Sequence, residues 1–520
     1  MPKDTAVLTI PNDTSYLPVV SALVTAAAAQ LGFDEADTGD IRLAVDEACA
    51  HVIETAFEPG EEQDLTISCR RDPSGLHITI ADKGLPFDPA SIQAYDAGGG
   101  LDRDLSGLPF YLMQQAMDEV HFVNKGWAGK ELQLAKYLKV PAIEAYFSQE
   151  ELRPYDVQVA PAPPSTYQYR LMAPEDAVEV ARCVYRTYGR TYPGEQIYFP
   201  ERVVAMNQSG EMVSAVAVTG SGEVIGHAAL SGQPGDRVME VGQAVVVPAH
   251  RGRGILKGLL DLVMGEARRR GLAGLFVRAV TVHPFSQRVS LKYGFQESAV
   301  LLGYAGRERQ MKGFADQQLP QRESLVHSYY PLQDEPSSLA YPPPHHRDMI
   351  ARIYRNLGLA RELAPPGTGR PDGEAGPPPD DRPRYRLSTQ VVPALEIAVM
   401  AVTGYGPGIE LEVKGKLGEL CREGIVTVYL HLPLGDSHTA LLCERFEGLG
   451  FFFSGILPMP LDAARGRGAE GPAVGAIVPC KDLLCLQYLY GPHIDYDLLQ
   501  IHSDFCQGLV RYIRAQDPLA

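Results

Sequence analysis

"VVVPAHRGRGILKGLLDLV", residues 245–263, joins two patterns across a short basic loop. The β-branched run Val241 to Val247 predicts a buried strand that stops at Pro248. From Ile255 to Ala267, the residues Ile255, Leu259, Leu262, Val263 and Ala267 recur on one helical stripe. Between strand and helix stands His250-Arg251-Gly252-Arg253-Gly254. Its glycines allow a tight turn, and the amides exposed there sit at the positive end of the helix dipole. Phosphate oxygens suit such a place, and the guanidiniums of Arg251 and Arg253 add charge-assisted donors. A glycine loop between strand and helix occurs in many nucleotide sites, so the pattern alone specifies an anion and nothing finer.

The neighbouring segments narrow it. This stretch resembles motif A of the GNAT acetyltransferases, where R-x-x-G-x-G/A cradles the pyrophosphate of acetyl-CoA; Arg251-x-x-Gly254 fits, and Leu256 replaces the last small residue. "VTVHPFSQRVSLKYGF" (280–295) resembles the family's motif B, "YRLMAPEDAVEVARCVYRTYG" (169–189) its first strand and helix, and "EVIGHAAL" (223–230) its central hairpin. The resemblance spans 168–305 and implies acetyl transfer to an amine, with acetyl-CoA held by Val245, Val247, Arg251, Gly252, Arg253, Gly254 and Ile255. It implies Glu240 as the general base; a solvated carboxylate at a strand end is the plainer alternative. The family's tyrosine acid is replaced by Ser290, and Tyr293 is expected in the core. His283 and Ser286 are expected at the acceptor cleft, or Ser286 as a helix cap. Tyr185, Tyr188, Tyr192, Tyr198 and Phe199 form an aromatic cluster, read first as core and second as an acceptor pocket.

Upstream, "IRLAVDEACAHVIETAF" (41–57) reads as a helix with Leu43, Ala44, Glu47, Ala48, His51, Val52 and Thr55 on one face. A buried carboxylate one turn before His51 needs partners. "LHITIADKGLPFDP" (76–89) is a strand running into Asp82-x-Gly84, and "LSGLPFYLMQQAMDEVHF" (105–122) a glycine turn into a helix. In this order the segments resemble the Bergerat-fold ATP sites of the anti-sigma-factor serine kinases, a branch of the GHKL ATPases. The resemblance implies Glu47 as base, Asp82 on the adenine amino group, and Gly84 and Gly107 against the nucleotide. It makes ATP with magnesium a second cofactor and a sigma-type regulatory protein a partner. Two departures bear on phosphoryl transfer: His51 replaces the magnesium-binding Asn, and Pro109, which has no N–H, replaces a lid glycine.

"GIVTVYLHLPLGDSHTALLCERFEGLGFFFSGILP" (424–458) repeats the motif-B logic and resembles the second half of a GNAT fold, but no R-x-x-G-x-G/A loop precedes it. The expected fold class is therefore α/β multidomain: a Bergerat α/β sandwich, a GNAT fold and a degenerate GNAT-like fold. The expected boundaries are 1–140, a Pro/Ala linker at 141–167, 168–333, a linker at 334–385, and 386–520. The second linker holds one helix, about His345 to Leu363, and a Pro/Gly/Asp stretch expected to be disordered. His345 and His346 read as a solvated helix end, so no metal site is expected. Trp127 is expected to pack a turn of the first block.

Composition agrees with this class. The 520 residues call for about three or four domains. A formal charge of −17 argues against a general nucleic-acid or membrane-surface binder. No basic leader precedes an apolar core at the start, and no apolar run approaches the ~20 residues of a membrane helix. Eight cysteines without CxxC pairing read as reduced thiols of a cytoplasmic protein. The rival to an acetyltransferase with an ATPase-like regulatory domain is a non-enzymatic or kinase-type partner-switching regulator, in which the GNAT folds serve as binding modules.

Overall fold

The computed structural model describes residues 5–58, 60–72, 75–85, 107–124, 129–139, 142–153, 166–189, 192, 194–307, 319–367, 386–392, 395–460 and 478–520. The expected disorder at 368–385, the 105–106 end of the glycine turn, and Trp127 lie outside them. Two compact units emerge, Met1–Pro141 and Ala142–Ala520.

Unit 1 contains β1 (Thr5–Pro11), α1 (Leu17–Leu31), α2 (Glu35–Thr55), β2 (Asp64–Asp72), β3 (Gly75–Asp82), α3 (Leu108–Ala116), β4 (Glu119–Asn124) and β5 (Lys130–Tyr137). The strands form one antiparallel sheet in the order β1-β2-β3-β5-β4. Ile67, Ile78 and Ile80 face the helices from that sheet and share their core. Asp34 caps α2 by accepting from the Asp37 amide at 2.7 Å. The buried stripe of α2 is Ile41, Ala44, Val45, Ala48, Cys49 and Val52. Leu43, expected on it, is 41% exposed. Glu47 and His51 are half-buried at its edge. Residues Thr14–Leu31 are apolar enough by length and composition to cross a membrane, at a mean hydropathy of 1.3. That corrects the expectation of no such run. Val20, Val24, Ala27 and Ala28 of this helix are nonetheless core residues of unit 1.

Unit 2 opens with β6 (Tyr167–Leu171), α4 (Ala177–Tyr188), α5 (Pro200–Ser209), β7 (Met212–Thr219), β8 (Val224–Ser231), β9 (Val238–Val246) and α6 (Ile255–Arg269). It continues with β10 (Gly274–Val280), α7 (Phe285–Lys292), β11 (Gln296–Ala305), β12 (Glu323–Pro331), β13 (Ser338–Ala340), α8 (Arg347–Leu357) and β14 (Arg361–Leu363). The last stretch is β15 (Arg386–Val392), β16 (Ile397–Gly404), α9 (Ile409–Arg422), β17 (Thr427–Pro433), α10 (Ser437–Glu447), β18 (Phe452–Leu457), β19 (Val478–Pro479), β20 (Leu483–Leu489) and α11 (Asp504–Arg514).

One sheet of twelve strands runs through the unit, ordered β15-β16-β17-β20-β18-β11-β12-β10-β9-β8-β7-β6. Its two halves mirror each other about the β18–β11 seam. From the seam outward, β11-β12-β10-β9-β8 matches β18-β20-β17-β16-β15 in sequence logic. The seam strands pair antiparallel, Ala299 opposite Gly455. A Cβ on Gly455, whose φ is +144°, would lie 2.3 Å from the Ser298 carbonyl oxygen, so the halves meet there only with glycine.

The described residues of both expected linkers pack into this unit. Ile143 and Leu152 are buried against Ala181 of α4. β13, β14 and β19 make a small parallel sheet. Met349, Ile350, Ile353, Tyr354 and Leu357 of α8 lie in the core of the C-terminal half. The helix expected to reach Leu363 stops at Leu357, where Gly358 turns left-handed (φ +67°) and the chain enters β14. The side chain of Arg361 in β14 is 1% exposed between Glu335 and Asp482, with ion pairs of 2.7 Å to each. His346, expected at a solvated helix end, is fully buried. All eight cysteines are free thiols.

Candidate functional site

β9 and β10 pair in parallel only where Val238–Glu240 meets Gly274–Phe276. Both strands continue, to Val246 and Val280, but β10 follows its antiparallel partner β12 and parts from β9. A cavity of about 770 Å³ opens in the gap, walled by residues 241–246 and 277–280 and floored by the start of α6. In the C-terminal half the matching strands β16 and β17 pair over five positions, Ile397–Ala401 with Thr427–His431. The gap has no counterpart there, and Glu410 and Glu412 in the first turn of α9 would repel a phosphate.

The β9 wall is shaped by a bulge. Its register against β8 slips by one residue between His227 and Ala229, and Gln243 takes a left-handed φ of +51°. Fully buried His227 braces it, its Nδ1 3.0 Å from the Gln243 carbonyl and its Nε2 2.9 Å from Ser214 Oγ. Two cavity-lining side-chain atoms, Gln243 Oε1 and Ser286 Oγ, are buried without a hydrogen-bond partner among the described residues. Buried polar atoms of this kind are rare and fit a ligand that completes them.

The glycine loop between β9 and α6 has the expected form. Gly252 and Gly254 both take φ +78°, with nothing within 4 Å of where a Cβ would stand. Gly254 is the N-cap of α6 and no side chain caps the first turn, so the amides there lack intrahelical acceptors. Gly252, Gly254 and Ile255 line the cavity, as does Arg251, whose Nε donates to the Val246 carbonyl at 3.1 Å. Its amide closes a turn on Pro248. Arg253 departs from expectation: its guanidinium donates to Tyr167 Oη at 3.1 Å, and the residue is not among those lining the cavity. Val245 lines the wall, but Val247 is buried off it with its N–H on the Ile225 carbonyl, 2.9 Å away. Leu256, the departure from the family pattern, lines the cavity directly.

Glu240, expected as the general base or as a solvated strand-end carboxylate, lines the cavity, and both its oxygens hold the guanidinium of Arg278, which also donates to Tyr304 Oη. Burial opposes the charge of Arg278, but Glu240 and Tyr304 hold it protonated above the ordinary arginine range. A carboxylate with both oxygens engaged by a guanidinium is not the free one expected. His283 lines the cavity, and burial lowers its pKa, which keeps the imidazole neutral. Ser286 lies inside α7, whose N-cap is Pro284, so it is not the cap. Ser290 donates to the Gln287 carbonyl, and Tyr293 lines the cavity with its hydroxyl on the Lys257 carbonyl at 3.1 Å. The aromatic cluster divides: Tyr188 and Tyr192, ring centroids 5.3 Å apart, line the cavity, whereas Tyr185 and Tyr198 pair in the core. From the C-terminal half, Leu395 lines the cavity. Gln287 of α7 donates to the Gln500 carbonyl and accepts from the His502 amide. Gln243, Arg278, Tyr304 and Leu395 escaped the sequence reading. Arg278, a charge inside the apolar strand "GLFVRAV", is the one with a visible signal.

In unit 1 a hollow of about 220 Å³ is lined by His51, Val52, Asp82, Phe122 and Lys130, among others. Asp82 is buried, 3.0 Å from Lys130 Nζ, and accepts from the Gly84 amide at 2.8 Å. Burial lowers the pKa of His51, whose ring stands edge-on to Phe110 at 4.6 Å. A neutral imidazole against an aromatic ring is a poor magnesium ligand. Glu47 is not among the residues lining the hollow. Gly84 is required by packing, since a Cβ would lie 2.3 Å from the Ala56 carbonyl oxygen. Gly107 caps α3 at an ordinary φ of −86°, and Pro109 falls in the first turn, where its missing N–H has no intrahelical acceptor.

Two family models match. Residues 10–136 match the histidine kinase-like ATPase domain, and residues 181–295 match the acetyltransferase (GNAT) family. The chain thus carries one domain of each kind. Among curated proteins, it is similar to Serine-protein kinase RsbW of Halalkalibacterium halodurans, at 29% identity over 26% of this chain and 85% of the relative. The Bacillus subtilis protein of the same name is 25% identical over 25% of this chain and 82% of its own length. Among solved structures, an N-acetyltransferase from Staphylococcus aureus aligns with 32% of this chain and all of its own, at 18% identity and a TM-score of 0.27. The ribosomal-protein-S18-alanine N-acetyltransferase from Escherichia coli aligns with 32% of this chain and 95% of its own, at 15% identity and a TM-score of 0.26.

Proposed function

We propose that unit 2 binds acetyl-CoA between β9 and β10 and transfers its acetyl group to an amine. The supporting observation is that the parted strands and the uncapped glycine start of α6 meet at one cavity. The bound thioester would supply an activated carbonyl carbon. The first-turn amides of α6 with Arg251 bind the diphosphate, and Gln243 and Ser286 offer polar atoms to the chain that follows. Backbone on the opened edge of β9 orients the carbonyl. As the amine nitrogen bonds to that carbon and the carbon–sulfur bond breaks, one proton must leave nitrogen and one must reach sulfur. Neutral His283 is the proton acceptor in this reading, and Glu240 is a positioning residue that holds Arg278 and Tyr304 at the mouth. Tyr188 and Tyr192 form one wall of the acceptor pocket. Calorimetric titration of acetyl-CoA tests the binding: Arg251→Glu should weaken affinity at least tenfold, while wild-type affinity in that variant sinks the reading. His283→Gln should lower kcat by about 10²–10⁴, whereas Glu240→Gln should act mainly on KM; the reverse pattern restores Glu240 as the base.

Unit 1 is proposed to bind ATP, with the adenine amino group on Asp82. The match to the ATPase model and a buried carboxylate in a hollow support this. The likeness to RsbW further suggests serine phosphorylation of a sigma-type regulatory partner with Glu47 as base, and hence the regulator reading of the whole chain. ATP with magnesium should bind the full chain, Asp82→Asn should abolish binding, and Glu47→Gln should keep it. No heat of ATP binding in the wild type ends the proposal.

A further inference from the structure

Away from the acetyl-transfer cavity, the fold gathers four side chains that the sequence leaves far apart. His345 and His346 lie in the 3-10 turn Pro344–His346 that leads into α8. Cys443 and Glu447 stand one turn apart on the same face of α10. One ligand atom from each falls within 4.8 Å of all the others. None of the four lines the cavity between β9 and β10. His346 and Cys443 are fully buried, whereas His345 and Glu447 keep 30% and 21% of their side chains exposed and form a rim open to solvent.

Hydrogen-bond counting around His346 points to a cation. Tyr512 Oη donates to the His345 carbonyl at 3.2 Å. The same oxygen, 2.6 Å from His346 Nδ1, must then accept from that ring nitrogen. With the hydrogen on Nδ1, His346 Nε2 presents its lone pair to Glu447 Oε1 at 2.5 Å. His345 Nε2 faces the other oxygen, Oε2, at 2.8 Å. Two electron pairs so close need a positive centre between them. A proton would satisfy the His346–Glu447 pair alone. A divalent ion would satisfy it and also draw in His345 and the Cys443 sulfur, both of which otherwise hydrogen-bond Glu447.

We propose that His345, His346, Cys443 and Glu447 form a structural site for one zinc-class divalent ion. One thiolate, two imidazoles and one carboxylate are a borderline-soft donor set that suits tetrahedral zinc and not calcium or magnesium, which take oxygen. With bonds of about 2.0–2.3 Å, tetrahedral ligand atoms stand about 3.3–3.8 Å apart, so only small side-chain shifts are needed. Tyr512 Oη is the outer partner that fixes the His346 tautomer, as such sites require. Phe453, its ring 4.7 Å from His346, backs the site with apolar surface. On binding, the Cys443 thiol and any protonated imidazole release protons to solvent as the ion's bonds form. The ion would tie the turn before α8 to α10 and so hold residues 338–363 on the C-terminal half.

Cobalt(II), a spectroscopic stand-in for zinc, tests this on the full chain after stripping with a chelator. One equivalent of Co²⁺ should give tetrahedral d–d absorption and a thiolate-to-cobalt charge-transfer band, and one equivalent of Zn²⁺ should bleach both. Cys443→Ser should lose the charge-transfer band, and His345→Gln, at the exposed rim, should weaken Co²⁺ binding about tenfold or more. Absence of a tetrahedral spectrum at one equivalent overturns the site, as does a thiolate band that persists in Cys443→Ser. Should that buried variant fail to fold by circular dichroism, His345→Gln decides: unchanged Co²⁺ affinity overturns the proposal.

Discussion

At the scale of single residues, the site depends on where side-chain hydrogens go. His227 is fully buried, and burial pushes its pKa down to about 4. Its neutral ring holds the bulge that turns Gln243 into the cavity. In the unfolded chain the same imidazole titrates near 6.5, so between pH 6.5 and 4 the unfolded state carries the extra proton. Stability should therefore fall as pH drops through that window, by about 1 kcal/mol per pH unit from this one residue. His431, pushed to about 4 by burial, contributes with the same sign. Denaturant melts at several pH values check it: His227→Asn should flatten the slope by about that amount, and an unchanged slope shows that the ring titrates normally. Glu240 and Arg253 make the complementary point. Their residue types were legible in the sequence, but the guanidinium each one meets or the phenol it reaches is supplied by a strand remote in the chain.

At the scale of elements, local pattern served well wherever a helix or strand buries one face. The strand, glycine loop and helix from Val238 to Arg269 appear as expected because β-branched alternation, two left-handed glycines and a 3.6-residue stripe agree. α8 shows where pattern was misjudged. Its flanking prolines and histidines suggested a solvated linker helix, but Ile350 and Ile353 are 0% exposed in the core of the C-terminal half. Ile353→Ala should therefore destabilise unit 2 by about 2–5 kcal/mol, whereas a linker helix would lose less than about 0.5 kcal/mol. Chemical denaturation of the two proteins separates these outcomes. α2 carries a smaller lesson: Leu43 and Val45 differ by two positions, and only the placement of the sheet decides which one is covered.

At the scale of the whole molecule, the two halves of unit 2 share one sheet of twelve strands. Composition suggested separate blocks because Pro/Gly-rich segments interrupt the sequence. Strand pairing ignores such interruptions when both edges need partners, and β11 finds its partner in β18. The halves differ at the gap: β9 and β10 part, while β16 and β17 stay paired. One cavity follows, with Leu395 of the C-terminal half in its lining and that half's Gln500 and His502 holding α7. By itself the amino-acid sequence determined which segments become strands and helices and where the glycine loop between β9 and α6 falls, since these follow from periodicity and glycine within a few residues. Tertiary structure alone decided the parting of β9 and β10, the capture of Glu240 by Arg278, the fusion of the sheets, and the gathering of His345 and His346 with Cys443 and Glu447. Each of those joins residues distant in the chain, whose meeting depends on how buried surfaces close and not on any local pattern.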